Sequence, residues 1–98
     1  MREIVFEEEA KSDVLDIISW YDGIRAELTA RFLHDLDKAV LSTVENPSRF
    51  PYVTSLTRRV LLKRFPYLVL FRDTPDSIFV LGVLHTSINP ARFRRRSL

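Results

Sequence analysis

The chain has 98 residues, no cysteine and a formal net charge of +2. A chain of that length builds one domain around one core, and without cysteine it has neither disulfides nor thiolate metal sites. No apolar run approaches the roughly 18 residues of a membrane span. Met1 leads directly into Arg2-Glu3-Ile4-Val5-Phe6 and an acidic cluster, unlike a secretory leader. A soluble cytoplasmic protein with no membrane association is expected.

The small net charge hides a polarity. Residues 1–48 hold five Lys/Arg against eleven Asp/Glu, giving −6, and residues 49–98 hold ten against two, giving +8. Such asymmetry speaks to partners rather than to fold. The basic half suits a polyanion or an acidic protein. Two oppositely charged faces that merely keep the domain soluble are the alternative.

Glu3 to Phe6 reads as a first strand. Glu7, Glu8 and Glu9 follow, where negative charge suits the positive end of a helix. Val14, Ile17, Ile18 and Tyr21 recur at the spacing of one buried helical face. Asp22-Gly23 should end this helix, with glycine in the left-handed cap position. A second helix begins near Ala26. Its apolar stripe is Leu28, Phe32, Leu36, Ala39, Val40 and Val44, and Arg25, Glu27, Asp35 and Asp37 are placed off that stripe. Asn46-Pro47 stops it. The short link between the two predicts an antiparallel helical hairpin.

The hydrophobic period then changes. Thr57 to Lys63 and Tyr67 to Arg72 have strand composition, and Pro66 belongs at a strand start or edge. Thr74-Pro75-Asp76-Ser77 is turn chemistry, in which Asp73 and Asp76 read as turn formers. Ile78 to Leu84 is nearly continuous in apolar residues and fits a central strand. The expected fold is α+β, in the order β-α-α-β-β-β: a twisted, mostly antiparallel sheet with an αα-hairpin on one face. The whole chain is one domain, and residues 91–98 form a basic C-terminal tail.

This order carries a set of local motifs. The first helix ends in Trp20-Tyr21, and the second contains Arg31-Phe32-Leu33. Asn46-Pro47 and Phe50-Pro51 lead to the sheet. Arg58-Arg59 opens one strand and Phe65-Pro66-Tyr67 the next, while the last strand closes on Val83-Leu84-His85 before Asn89-Pro90. Together these motifs resemble the ParE/RelE toxin family of type II toxin–antitoxin systems, also known as plasmid stabilisation toxins. The resemblance implies a toxin held inactive by a cognate antitoxin, in a hetero-oligomer of the two. It also implies a ParE-like action on DNA gyrase or a RelE-like cleavage of ribosome-bound mRNA. A nucleic-acid-binding or degenerate, non-toxic member of the same fold is a further reading. Two positions depart from the family pattern. The arginine usual three residues after the strand-terminal histidine is Ile88, and the aromatic after the proline, commonly Trp, is Phe93. No tyrosine follows Tyr67. The arginine lost at Ile88 and the missing C-terminal tyrosine put the ParE-like action ahead of the RelE-like one.

RNA cleavage by 2′-hydroxyl attack needs a base, an acid and cations on the phosphate. The candidate catalytic residues are His85, Arg64 and Arg72. His85 is also readable as a structural hydrogen-bonder at a strand end. The candidates for target or phosphate binding are Lys63, Arg64, Arg72, Arg92, Arg94, Arg95 and Arg96. Trp20 and Arg59 are candidates for contact with the antitoxin; Trp20 lies about 100° round the helix from Tyr21 and reads first as core packing at the margin of the stripe, with the antitoxin anchor as the sharper alternative. Of Arg58 and Arg59, one should face the helices and pair with an acidic hairpin residue such as Asp13 or Asp16. His34 is expected at a solvated edge. Two histidines without cysteine, and without His-Glu-x-x-His spacing, give no metal site, and no cofactor is expected.

Overall fold

The computed structural model describes residues 1–89. Its elements are β1 (Glu3–Phe6), α1 (Glu8–Asp22), α2 (Ala26–Glu45), a short 3-10 turn (Pro47–Arg49), β2 (Arg58–Leu61), β3 (Tyr67–Asp73) and β4 (Ser77–His85). The expected order is therefore observed. The basic tail, with Arg92, Phe93, Arg94, Arg95 and Arg96, lies outside the described residues. No helix among the described residues is long and apolar enough to cross a membrane.

The strands form one sheet in the order β1-β4-β3-β2. β2 pairs antiparallel with β3, and β3 antiparallel with β4, while β1 lies parallel to β4. β1 and β4 are not joined directly: both helices, the segment 46–57 and two strands lie between them, which leaves room for the parallel pairing. β4 is central and the longest strand, as its unbroken apolar run requires. β2 is shorter than its composition suggested. Leu62 N–H still reaches Tyr67 O at 3.0 Å, but the backbone of Lys63 turns toward α2.

The helical hairpin covers one face of the sheet. Phe32, Leu36, Ala39, Val40 and Val44 of α2 pack with Val60, Tyr67, Val69, Phe71, Ile78, Val80 and Val83, as the stripe predicted. Within this core, Tyr21, Phe32, Phe65 and Tyr67 form a mutual cluster with ring centroids 5.3–6.4 Å apart. A second cluster of Leu68, Leu70 and Leu84 lies on the far face, with Val53, Leu81 and Ile88 packed against it. Side chains of a strand alternate between faces, so one sheet supplies both clusters. The alternation is offset once, where the register shifts between Leu70 and Phe71 and β4 carries Leu81 as an extra residue.

Two local expectations are corrected. Gly23 does follow the end of α1, but with φ −67° and ψ −15°, and no described residue has positive φ. The cap is closed instead by continued helical turns, with Gly23 N–H donating to Ser19 O at 3.2 Å and Ile24 N–H to Tyr21 O at 2.9 Å. Asp73 is not a turn former. It is the last residue of β3, and the turn is held by Thr74, whose Oγ1 accepts from Ser77 N–H at 3.0 Å and from Asp76 N–H at 3.3 Å.

The glycine correction is directly testable. A Cβ at position 23 would meet Trp20 O at 3.4 Å and Ser19 O at 3.6 Å, which is ordinary contact. In a conformation open to any residue, alanine limits the unfolded chain more than glycine does. Gly23→Ala should raise unfolding stability by about 0.5 kcal/mol in urea titration, whereas a left-handed cap would have made it destabilising.

Candidate functional site

The sheet end that carries the basic residues is fixed by one carboxylate. Asp35 lies on α2 and is buried. Its Oδ2 accepts from the backbone N–H groups of Arg64 at 2.8 Å and Phe65 at 3.1 Å, and its Oδ1 accepts from Lys63 N–H at 3.3 Å. These three donors belong to the β2–β3 turn, where no ladder partner exists for them. Placing Asp35 off the apolar stripe is therefore overturned. It sits three residues after Phe32 and four before Ala39, so helical period put it at the margin of the buried face. The side chains of Lys63 and Arg64 are directed outward and are exposed.

Arg58 is the inward member of its pair and is buried, as alternation required, but its partner differs from expectation. It pairs with Asp73 on the adjacent strand (Nε to Oδ1, 3.0 Å), not with Asp13 or Asp16 of the hairpin. The rest of the guanidinium donates to Phe50 O and Tyr52 Oη, each at 2.8 Å, and its carbon lies 3.9 Å from the Tyr52 ring centroid. This fork pins the segment between α2 and β2 and leaves Arg58 no free donor face for a ligand. Asp13 instead accepts from Val83 N–H at 2.9 Å, just past the β4 irregularity.

Arg59 is half-buried and opposes Leu70 on the far face. Arg72 shares that face, 5.6 Å from the Phe79 ring centroid. His85 is exposed at the end of β4 and opposes Tyr67, whose ring centroid is 5.5 Å away edge-on. Ser87 N–H donates to His85 Nδ1 at 3.1 Å, and Ser87 Oγ lies 2.8 Å from the same nitrogen. In the neutral ring Nδ1 is then the acceptor and Nε2 carries the proton. Trp20 is 67% exposed, so the aromatic beside the core stripe faces solvent. His34 is exposed, as expected.

The candidate residues are thus gathered only in part. Arg59 and Lys63 line one groove beside α2, and Lys63 and Arg64 line its continuation. His85 lies at the same end of the sheet, since Thr86 N–H donates to Pro66 O at 2.9 Å. Arg72 is not part of this group. It opposes Phe79, five positions along β3 from Tyr67, which is about 17 Å of strand. The three catalytic candidates therefore do not converge on one atom. The groove also recruits Arg31, Lys38 and Arg49, which were not singled out from the sequence. Their signal was available for α2, where Arg31, His34 and Lys38 recur at i, i+3, i+7. Among the described residues, no cluster of His, Cys, Asp and Glu could hold a metal ion.

Comparisons with known proteins agree with this architecture. The family model of the ParE toxin of type II toxin–antitoxin systems (parDE) matches residues 4–90. The chain belongs to that family. A solved structure described as the chromosomal ParDE TA system from P. aeruginosa is similar, with a TM-score of 0.75 and 19% identity. The match covers 87% of this chain and 96% of that one. None of the curated proteins matches. The protein is therefore a ParE-type toxin of a toxin–antitoxin system.

Two outcomes follow from the site. Asp35→Ala strands three backbone donors at once, so it should cost roughly 3 kcal/mol in chemical unfolding, well above an exposed aspartate such as Asp37 changed in the same way. The second concerns Tyr67. Burial, with further contributions from Tyr21, holds its hydroxyl un-ionised far above the usual tyrosine range. An unfolded tyrosine ionises near about pH 10. The native state retains a proton that the unfolded state releases, so stability present below pH 10 is lost as pH rises beyond it. Urea titrations at about pH 8 and about pH 11 should show a smaller alkaline loss for Tyr67→Phe than for the unaltered protein.

Proposed function

We propose that the protein arrests growth by a non-hydrolytic, ParE-like action on DNA gyrase and is neutralised by a cognate antitoxin bound in a hetero-oligomer. The observation that carries the choice of target is Ile88. At the position where the wider family commonly has an arginine, this chain has an apolar side chain packed against the far-face cluster of Leu68, Leu70 and Leu84. That position supplies no cation to a phosphate. The separation of Arg72 from His85 supports the same reading. Phosphodiester cleavage requires acid, base and cation around one phosphate, whereas inhibition through protein contact has no such requirement. Tyr67 is no substitute base, since its hydroxyl keeps its proton at neutral pH.

The family membership and the charge polarity support an antitoxin partner with both acidic and apolar character. Trp20 and Arg59 are candidate contacts, because Trp20 is exposed and Arg59 only half-buried.

Purified toxin should block supercoiling by gyrase and leave ribosome-bound mRNA intact, as read by primer extension. Addition of the product of the neighbouring small reading frame should restore supercoiling. New 5′ ends on the message, lost in His85→Gln and accompanied by unaffected gyrase, would replace this reading with the RelE-like one.

A further inference from the structure

The helical hairpin leaves an apolar cleft open on the flank of α2 away from the basic groove. Half-buried Ile4, Phe6 and Val14 line it, and Leu15 of α1 and Leu33 of α2 stand on either side. Leu15 is 64% exposed and Leu33 39%. Of the described residues that line the cleft, only Lys11, on α1, and Asp37, on α2, are polar. The cleft shares no lining residue with the groove between α2 and β2.

These four residues are placed in pairs. Leu15 lies seven residues before Asp22, the last of α1, and Leu33 seven after Ala26, the first of α2. Lys11 and Asp37 lie eleven residues from the same two ends. At a rise of about 1.5 Å per residue, the leucines stand about 10 Å from the link and the charged pair about 16 Å, each pair at one height on the antiparallel helices. Set two copies face to face and relate them by a half-turn about an axis along the hairpin. α1 of each copy then lies over α2 of the other, so Leu15 meets Leu33 of the second copy and Lys11 meets its Asp37, each twice. That is the condition for an isologous contact, in which residue i meets j and j meets i. Both charges are available for it. Lys11 pairs with Glu8 at 3.3 Å, one turn away with both side chains exposed, and such a pair holds it only weakly. Asp37 has no ion pair among the described residues. Other occupants fit less well. A small ligand is oriented by several polar groups converging on it, and here one cation and one acid stand on opposite helices. An anionic lipid surface gains nothing from a cation cancelled by an acid.

We propose that this cleft is the interface of a symmetric homodimer of the toxin, in which Leu15 and Leu33 of each copy pack on Leu33 and Leu15 of the other and Lys11 of each pairs with Asp37 of the other. The contact closes on itself and stops at two copies. It leaves the cationic groove on the opposite flank of α2 open. The inference is independent of whether gyrase is the target.

The test is sedimentation velocity on the purified full chain over a concentration series, with thermal melting to confirm that every variant is folded. The unaltered toxin should pass from monomer to dimer and no further. Lys11→Asp and Asp37→Lys, each alone, put like charges face to face and should weaken the dimer by roughly tenfold or more. The double exchange Lys11→Asp/Asp37→Lys restores both pairs and should restore the dimer. The two single variants mixed in equal amounts should associate with each other, because every facing pair is then again of opposite sign. Leu33→Asp should remain monomeric. An unaltered toxin that is monomeric throughout the series would overturn the proposal, and so would a dimer that these substitutions leave unchanged. A toxin that is monomeric alone, but loses the product of the neighbouring small reading frame on Leu33→Asp, would assign the cleft to that product instead.

Discussion

The exposed cationic end of this sheet depends on a buried negative charge. A turn between antiparallel strands leaves backbone donors without ladder partners, and packing a helix over it removes the water that would otherwise satisfy them. Asp35 resolves this by presenting both carboxylate oxygens from α2 to three successive N–H groups. The bonds are charge-assisted and fix the turn relative to the helix. Phe65 is thereby seated in the aromatic cluster, Pro66 is placed to accept from Thr86, and Tyr67 begins β3 opposite His85. The same contact directs the side chains of Lys63 and Arg64 away from the core. One buried acid thus sets both the register of the sheet end and the exposure of its cations.

Asp13 applies the same solution at the other helix. β1 ends at Phe6, opposite Val80, so beyond that point the flank of β4 has no strand beside it. The irregularity at Leu81 follows, and the N–H of Val83 is met by Asp13 of α1. The hairpin therefore contributes more than an apolar face. Each helix carries one carboxylate that completes the hydrogen bonding of the sheet where the ladder stops.

The elements were legible because their signals are local. Period 3.6 in α1 and α2, apolar continuity in β4 and the Thr74–Ser77 turn all follow from neighbouring residues, and each is present in the fold. What was not legible was the destination of the polar side chains. Asp35 reads as a solvated helix acid and Asp13 as a partner for an arginine, because the backbone groups they meet lie some 30 and 70 residues away. The partner of Arg58 was sought on the hairpin, since the strand alternation that turned it inward does not reveal that Asp73 lies diagonally beside it on β3. The far-face cluster was likewise hidden. Ile88 follows the last strand in sequence, and only the fold brings it against Leu68, Leu70 and Leu84. The site was partly legible in the same sense: Lys63, Arg64 and Arg59 were identified on the sheet side, while Arg31, Lys38 and Arg49 on the opposing wall were not.

Charge counted along the sequence differs from charge as the fold distributes it. The first 48 residues are acidic overall, yet Arg31 and Lys38 of that half stand on the groove wall facing Lys63 and Arg64. The carboxylate that lines the same groove, Asp35, is occupied by backbone donors. A carboxylate bonded to N–H dipoles still carries its charge, but its oxygens are no longer available to neutralise a surface cation. The surface potential on this side is therefore set by side chains that the fold leaves uncompensated, not by the net charge of +2. The cationic character of the α2–β2 groove comes from Arg31, Lys38, Lys63 and Arg64, because the buried Asp35 beside them has its oxygens on backbone donors.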